Sequence, residues 1–261
     1  MILSGLAAAA ALGLATAEVG DGWDLSVDPA HDRIGAGVAF EGGVHLTVQC
    51  ERGSLDVDLG GMSATAGSSF DLETTRSDGV ARVSWWRQHP DAPVLTTSNV
   101  RQARFFRAGG RMVFSSPTGD ARPGRLEMPL PTDSTNLDRV LTACRLPLVD
   151  PRDALVDVGD LLLERPRLDI RGNVSRGGDL SRVKAIMVQL SCIVRDGALA
   201  ECQSDFEVPS MPREVAAAAR LGRATAEGAN GHVLKLSDPA AAEGRVVNIS
   251  VTGLQIVRQP F

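Results

Sequence analysis

Apolar and polar residues alternate along much of the chain, and that period of two predicts strands. Val44, Leu46, Val48 and Cys50 share one face while His45, Thr47 and Gln49 share the other. Glu51 to Ser54 turns the chain around Gly53, and Leu55, Val57 and Leu59 form the return face opposite Asp56 and Asp58. A second hairpin is expected from Phe70, Leu72 and Thr74 against Ala81, Val83 and Trp85, across the Ser77-Asp78-Gly79 turn. Arg111 to Ser115 and Arg125 to Leu130 read as further short strands. Before all of these, Gly20 to Gly37 is polar and turn-rich, with Trp23 expected to plug the edge of the core.

Two helices interrupt the strands. Ser98 is placed to cap the first, NVRQARFFRA, which Gly109-Gly110 stops. In the second, Thr135 and Asp138 have capping-box spacing, and Leu137, Val140, Leu141 and Cys144 fall at i, i+3, i+4 and i+7. That stripe and the Val44–Cys50 face carry Cys144 and Cys50 toward one core.

From residue 147 to 182 the pattern weakens. Prolines recur at Pro147, Pro151 and Pro166, and Gly172, Gly177 and Gly178 alternate with arginines, so this stretch reads as a flexible linker. Asp150, Asp153, Asp157 and Asp160 lack the glycine and terminal glutamate of a calcium loop and read as linker charge. A third hairpin follows, VKAIMVQLSCIVRDGALAECQSDF from Val183 to Phe206. Ile186, Val188, Leu190, Cys192 and Val194 share a face, and Asp196-Gly197 supplies the turn. Beyond it come a helix over REVAAAARLGRA capped by Ser210, a short strand near His232 to Leu236, and closing strands over Arg245 to Val251 and Gly253 to Val257.

The expected fold class is α+β, with two small domains, each an antiparallel sheet with one or two packed helices. The first covers residues 18–146 and the second 183–261, joined by 147–182. At 261 residues the chain can bury a sizeable core in either domain. A net charge of −5 argues against nucleic-acid binding, which needs cations on phosphates. The absence of tyrosine argues against a large aromatic binding face.

The first residues, MILSGLAAAAALGLATA, are apolar and end in Ala15-Thr16-Ala17, a small-x-small cleavage pattern. Residues 1–17 are therefore expected to be a signal peptide cut between Ala17 and Glu18, although no basic residue precedes Arg33. The run is shorter than the ~20 residues of a spanning helix, so no stable membrane anchor is expected. Export to an oxidising periplasm gives the four cysteines a meaning as bridges. Three connectivities are possible. The hairpin favours Cys192–Cys202, which leaves Cys50–Cys144 closing a loop of nearly a hundred residues, for about 4–5 kcal/mol in the chain-entropy picture.

The last hairpin, the alanine-rich helix and EGRVVNISVTGLQI, over residues 183–257, resemble the C-terminal domain of TonB-like proteins. The likeness is greatest to two-cysteine exported versions in some alphaproteobacteria. It implies a strand–strand–helix–strand fold whose sheet edge binds an envelope protein. It does not imply energy transduction, because this chain lacks the long proline-rich arm, and GRATAEGANGHV stands where the family has an aromatic-proline segment.

Catalytic chemistry is not legible. His31, His45, His89 and His232 have no zinc-type spacing, no G-x-S-x-G elbow is present, and no cysteine pair has C-x-x-C spacing. Asp56 and Asp58 on one strand face suggest paired carboxylates, with a solvated sheet face as the plainer reading. No cofactor, metal or catalytic residue is assigned. The expected role is a non-enzymatic, protein-binding or envelope-associated one, with a periplasmic hydrolase of scattered catalytic residues as the alternative.

Overall fold

The computed structural model describes residues 22–62, 69–89, 92–116, 124–164, 166, 168, 183–204 and 222–256. These form an α+β structure rich in antiparallel sheet. The first sheet contains β1 (Asp24–Asp28), β2 (Arg33–Ala39), β3 (His45–Glu51), β4 (Ser54–Gly60), β5 (Ser69–Arg76), β6 (Ala81–Gln88), β7 (Val94–Thr97), β8 (Gly110–Ser115) and β9 (Leu126–Leu130). Its nine strands run in the order β1-β2-β3-β4-β7-β6-β5-β8-β9. Every neighbouring pair is antiparallel.

The β3–β4 hairpin follows from alternation. Leu46, Val48 and Cys50 on β3, with Leu55, Val57 and Leu59 on β4, are buried. Arg52 and Gly53 both take positive φ, 51° and 79°, as the two-residue turn matching strand twist requires. β1 and β2 occupy the stretch expected to be turns. In β2, Ala36 and Val38 are buried while Gly35 and Gly37 take the opposite face. Glycine stands where polar residues usually mark the solvent side, which hides the period of two.

β6 overturns another expectation. Its inward face is Arg82, Ser84, Trp86 and Gln88, all buried, whereas Ala81, Val83 and Trp85 face outward and are half-buried. Register explains this: Ser84 lies opposite buried Leu72, and Arg82 opposite buried Thr74. The Trp86 ring packs edge-on to Phe114 at 6.5 Å.

Helix α1 (Val100–Phe106) crosses the apolar face between β7 and β8, and all seven of its residues are buried. Its cap is Asn99, whose Oδ1 accepts from the Gln102 amide at 2.9 Å, while Ser98 instead donates to Asp56. The chain leaves α1 through Gly109 at φ +60°, where a Cβ would meet the Pro131 carbonyl oxygen at 2.2 Å, so only glycine fits. Helix α2 (Thr135–Ala143) buries Leu137, Val140 and Leu141, and Cys144 follows them into the same core. The anticipated capping box does not form: Asp133 accepts from the Thr135 amide, and Asp138 receives Arg107 at 2.5 Å. Asn136 donates to the Trp23 carbonyl at 2.8 Å, fastening the chain before β1 to α2, and Trp23 itself is in the core.

The second sheet has three strands, β10 (Val183–Arg195), β11 (Ala198–Ser204) and β12 (Val246–Ile256), in the order β11-β10-β12. Asp196 and Gly197 turn the hairpin at φ 51° and 73°. Val188, Leu190, Cys192 and Val194 are buried as alternation predicts, but Gln189, Ser191 and Ile193 on the other face are buried too. A bulge between Ser191 and Ile193 shifts the register. Residues 222–229 form α3, which runs past the expected end of the alanine-rich helix, and α4 (Pro239–Ala242) is one turn. Ala226, Ala229 and Ala242 pack on Leu190, Val247 and Ile249 in a second cluster. The closing strands are one continuous β12. The segment His232 to Leu236 makes two isolated bridges rather than a strand, Ala198 with Val233 and Leu162 with Leu236. The signal peptide, its cleavage site and the Ser210 cap lie outside the described residues.

Candidate functional site

The four cysteines are paired as Cys50–Cys144 and Cys192–Cys202, with Cα–Cα distances of 5.5 and 4.0 Å. Both are structural: one ties β3 to α2, the other crosses the β10–β11 hairpin at its bulge.

The residues read as linker charge do something different. β7 ends at Thr97, so the half of β6 near Val83 has no β7 partner. There Asp157 takes its place, its Oδ2 accepting the Val83 amide at 3.2 Å. Arg101 of α1 donates to Asp157 Oδ1, and Asn248 of β12 donates to the same atom at 3.2 Å. The Asp157 segment pairs with β12 through a parallel bridge to Val246, with Val158 N–H to Val246 O at 2.9 Å and Val246 N–H to Val156 O at 3.0 Å. Arg104 forks onto Asp153 at 2.6 and 3.1 Å and reaches Asp150 at 3.3 Å. Arg152 points the other way, donating to the Ser191 carbonyl at 2.6 Å and to the Glu201 carbonyl.

Asp150, Asp153 and Asp157 thus bind guanidinium groups on the first sheet's helix, and Arg152 binds the second sheet's bulged hairpin. Arg82, Arg101, Arg104 and Arg152 are all buried. Desolvation, with Arg101 close by, brings the Arg82 guanidinium down to about 10. Burial pushes the Asp157 carboxyl up while Arg101 and Arg82 pull it back. Sequence reasoning missed this junction because exposed and buried ion pairs use the same residues, and the partners are 39 to 91 positions apart.

The junction leaves the edges of the small sheet unequal. The outer side of β11 is capped: Leu199 N–H bonds the His232 carbonyl at 2.9 Å, Gly231 N–H the Leu199 carbonyl at 2.7 Å, and Cys202 N–H the Asn230 side chain at 3.0 Å. The outer side of β12 is paired only around Val246, and past it no described segment joins it.

On the outer face of the large sheet, Asp56 and Asp58 are half-buried rather than freely solvated. Gln49 Nε2 donates to Asp58 Oδ2 at 3.1 Å, and Ser98 Oγ donates to Asp56 Oδ1 at 3.0 Å. Burial, followed by the neighbouring Asp56 charge, pushes Asp58 from 3.8 up to about 6, with His89 and His45 acting in the opposite sense. Asp56 is raised as well, mainly by burial and against its bond from Ser98. The His45 ring lies over Gly60, where a Cβ would stand 2.1 Å from it, and its Nδ1 is 3.1 Å from the Gly43 carbonyl. His31 pairs with Asp28 at 2.7 Å on the surface. No group of three or more His, Cys, Asp or Glu fit to hold a metal occurs among the described residues.

Asp58 makes stability depend on pH in a definite direction. Its folded value lies above its unfolded one, so its favourable contribution is full below about pH 4 and fades as pH rises through about 6. Asp58→Asn keeps an oxygen for Gln49 and carries no charge. The variant is expected to match the natural protein near pH 4 and exceed it at pH 7 by about 1–2 kcal/mol, discounted for partial exposure. Urea unfolding of both proteins across that range checks it.

No family model, no curated protein and no solved structure matches this chain. Among the described residues, no helix is long and apolar enough to cross a membrane.

Proposed function

We propose that the chain is an exported, periplasmic, envelope-associated binding protein, without catalytic chemistry of its own, that accepts an extended segment of a partner protein on the outer edge of β12. The observation that carries this reading is the inequality of the two edges. The β11 edge is closed by residues 230–233, whereas β12 continues ten residues past Val246 with its outer side unpaired by any described segment. An edge strand presents a row of amide donors and carbonyl acceptors, and proteins usually blunt such edges. Here one edge is blunted, and among the described residues nothing blunts the other past Val246.

Two further features support it. The strand–strand–helix–strand order of 183–256 is the order that the TonB-like resemblance implies. Two disulfides suit an oxidising compartment, and a small sheet held by the Cys192–Cys202 bridge and by the arginine junction arrives already ordered, which lowers the entropic cost of binding.

Site-specific photocrosslinking in the protein's native envelope tests the reading. A photoreactive residue at Thr252 or Gln255 is expected to capture a defined envelope protein, while one at Val80, 41 % exposed in the β5–β6 turn, captures nothing comparable. Equal labelling from both regions, or no adduct from β12, overturns it.

A further inference from the structure

We propose that the outer face of the large sheet carries a second binding site, centred on Asp56, Asp58 and Trp85, whose ligand is a neutral saccharide. The argument for it uses other residues than the β12 edge and does not rest on that reading.

Strand register sets the side chains out in rows. One row runs Gln49 (β3), Asp56 (β4), with Ser98 bonded to Asp56 just past β7. The next runs Thr47, Asp58, Thr96 and Arg87 across β3, β4, β7 and β6. Trp85 stands two residues from Arg87 on the same face of β6, directly opposite Asp71 of β5. Of the three tryptophans, Trp23 and Trp86 are 1 % and 0 % exposed and belong to the core; Trp85 is half-buried on the other face, and the core does not use it. Gly35, Gly37 and Gly60 occupy this face of β2 and β4, keeping it low beside the polar rows.

The chemistry selects the ligand class. An anion would meet Asp56, Asp58 and Asp71, and a cation would meet Arg87 and the imidazoles of His45 and His89. A hydroxyl group both donates and accepts, and it fits a surface where carboxylates alternate with amide, hydroxyl and guanidinium donors. An indole face set among such groups covers the C–H side of a sugar ring while the polar groups bind its rim. Half-buried carboxylates that lose stability by ionising are the kind of group retained for a ligand rather than for the fold.

The test uses the whole mature chain with cellohexaose, maltohexaose and N,N′-acetylated chitohexaose as neutral probes. Spermidine and a sulfated hexasaccharide serve as cationic and anionic counterparts. Calorimetry and tryptophan fluorescence are both read, the latter because Trp85 is the indole that a ligand on this face would touch. At least one neutral probe is expected to bind at millimolar concentration or below and to change the emission. Trp85→Ala is expected to weaken that binding about tenfold, and Trp85→Phe less. Asp58→Asn, which leaves the fold at least as stable, is expected to weaken it several-fold. The proposal is overturned if all three neutral probes are silent, if a charged probe binds more tightly than they do, or if Trp85→Phe and Asp58→Asn both bind unchanged. Urea midpoints of each variant separate loss of the site from loss of the fold.

Discussion

Replacing Arg101 with methionine is expected to destabilise the protein by about 3–5 kcal/mol, the usual cost of removing one partner of a buried ion pair. The side chain is 1 % exposed and satisfies three acceptors, Asp157 Oδ1 and the carbonyls of Arg152 and Leu155 at 3.0 and 2.8 Å. Methionine fills comparable volume, so the loss is electrostatic rather than a cavity. It leaves Asp157 buried with its nearest cation gone. The carboxyl then titrates higher still, and the penalty falls on its ionised form. The difference between variant and natural protein should therefore be largest at neutral pH and shrink as the pH falls. Adding Asp157→Asn should recover part of the loss, because the uncompensated charge disappears, and the double variant should cost less than the sum of the singles. Urea midpoints at pH 5 and pH 7 measure both effects. Strict additivity, or a larger loss at pH 5, would contradict the ion-pair account.

Removing the Cys50–Cys144 bridge with two alanines is expected to cost about 4–5 kcal/mol in the chain-entropy picture. The residues are 94 apart, so the unfolded chain gains much freedom when the bond is lost. Cys192 and Cys202 are only 10 apart across a turn that already holds its ends together, so their removal should cost about 3 kcal/mol at most. The contrast is the test. Thermal midpoints of the two double-alanine proteins, each compared with the oxidised parent, should rank the long-range bridge well above the local one. Equal shifts would show that strain or residual structure, and not loop closure, dominates.

Legibility in the sequence depended on how far each residue's partner lay. The β3–β4 and β10–β11 hairpins were readable because their alternation and their Arg52-Gly53 and Asp196-Gly197 turns are local. Both disulfides followed from the same periodicities, since the strand pattern buries Cys50 and the helix pattern buries Cys144. β2 was hidden because Gly35 and Gly37 replace the polar half of its pattern. The face of β6 was misassigned because its inward set, Arg82, Ser84, Trp86 and Gln88, is polar at three of four positions. Arg82 is acceptable there only because Phe105 lies 4.8 Å beneath its guanidinium and Asp153 lies alongside. No local pattern announces such compensation. The Asp56 and Asp58 face was visible as a carboxylate pair, but its neighbours Ser98, Trp85 and His89 come from later strands and only the register assembles them.

The position of Asp157 has a consequence for autonomy. A fragment cut at residue 146, where the hydrophobic pattern pauses, would contain every strand of the large sheet and its disulfide. It would still carry Arg82, Arg101 and Arg104 beneath the surface with none of the acceptors that the next eleven residues provide. The Val83 amide of β6 therefore has no Asp157 acceptor until the chain has been made through that residue, and Asp157 is in turn hydrogen-bonded to β12. The two halves are thus expected to ripen together, as one cooperative unit rather than as beads on a string.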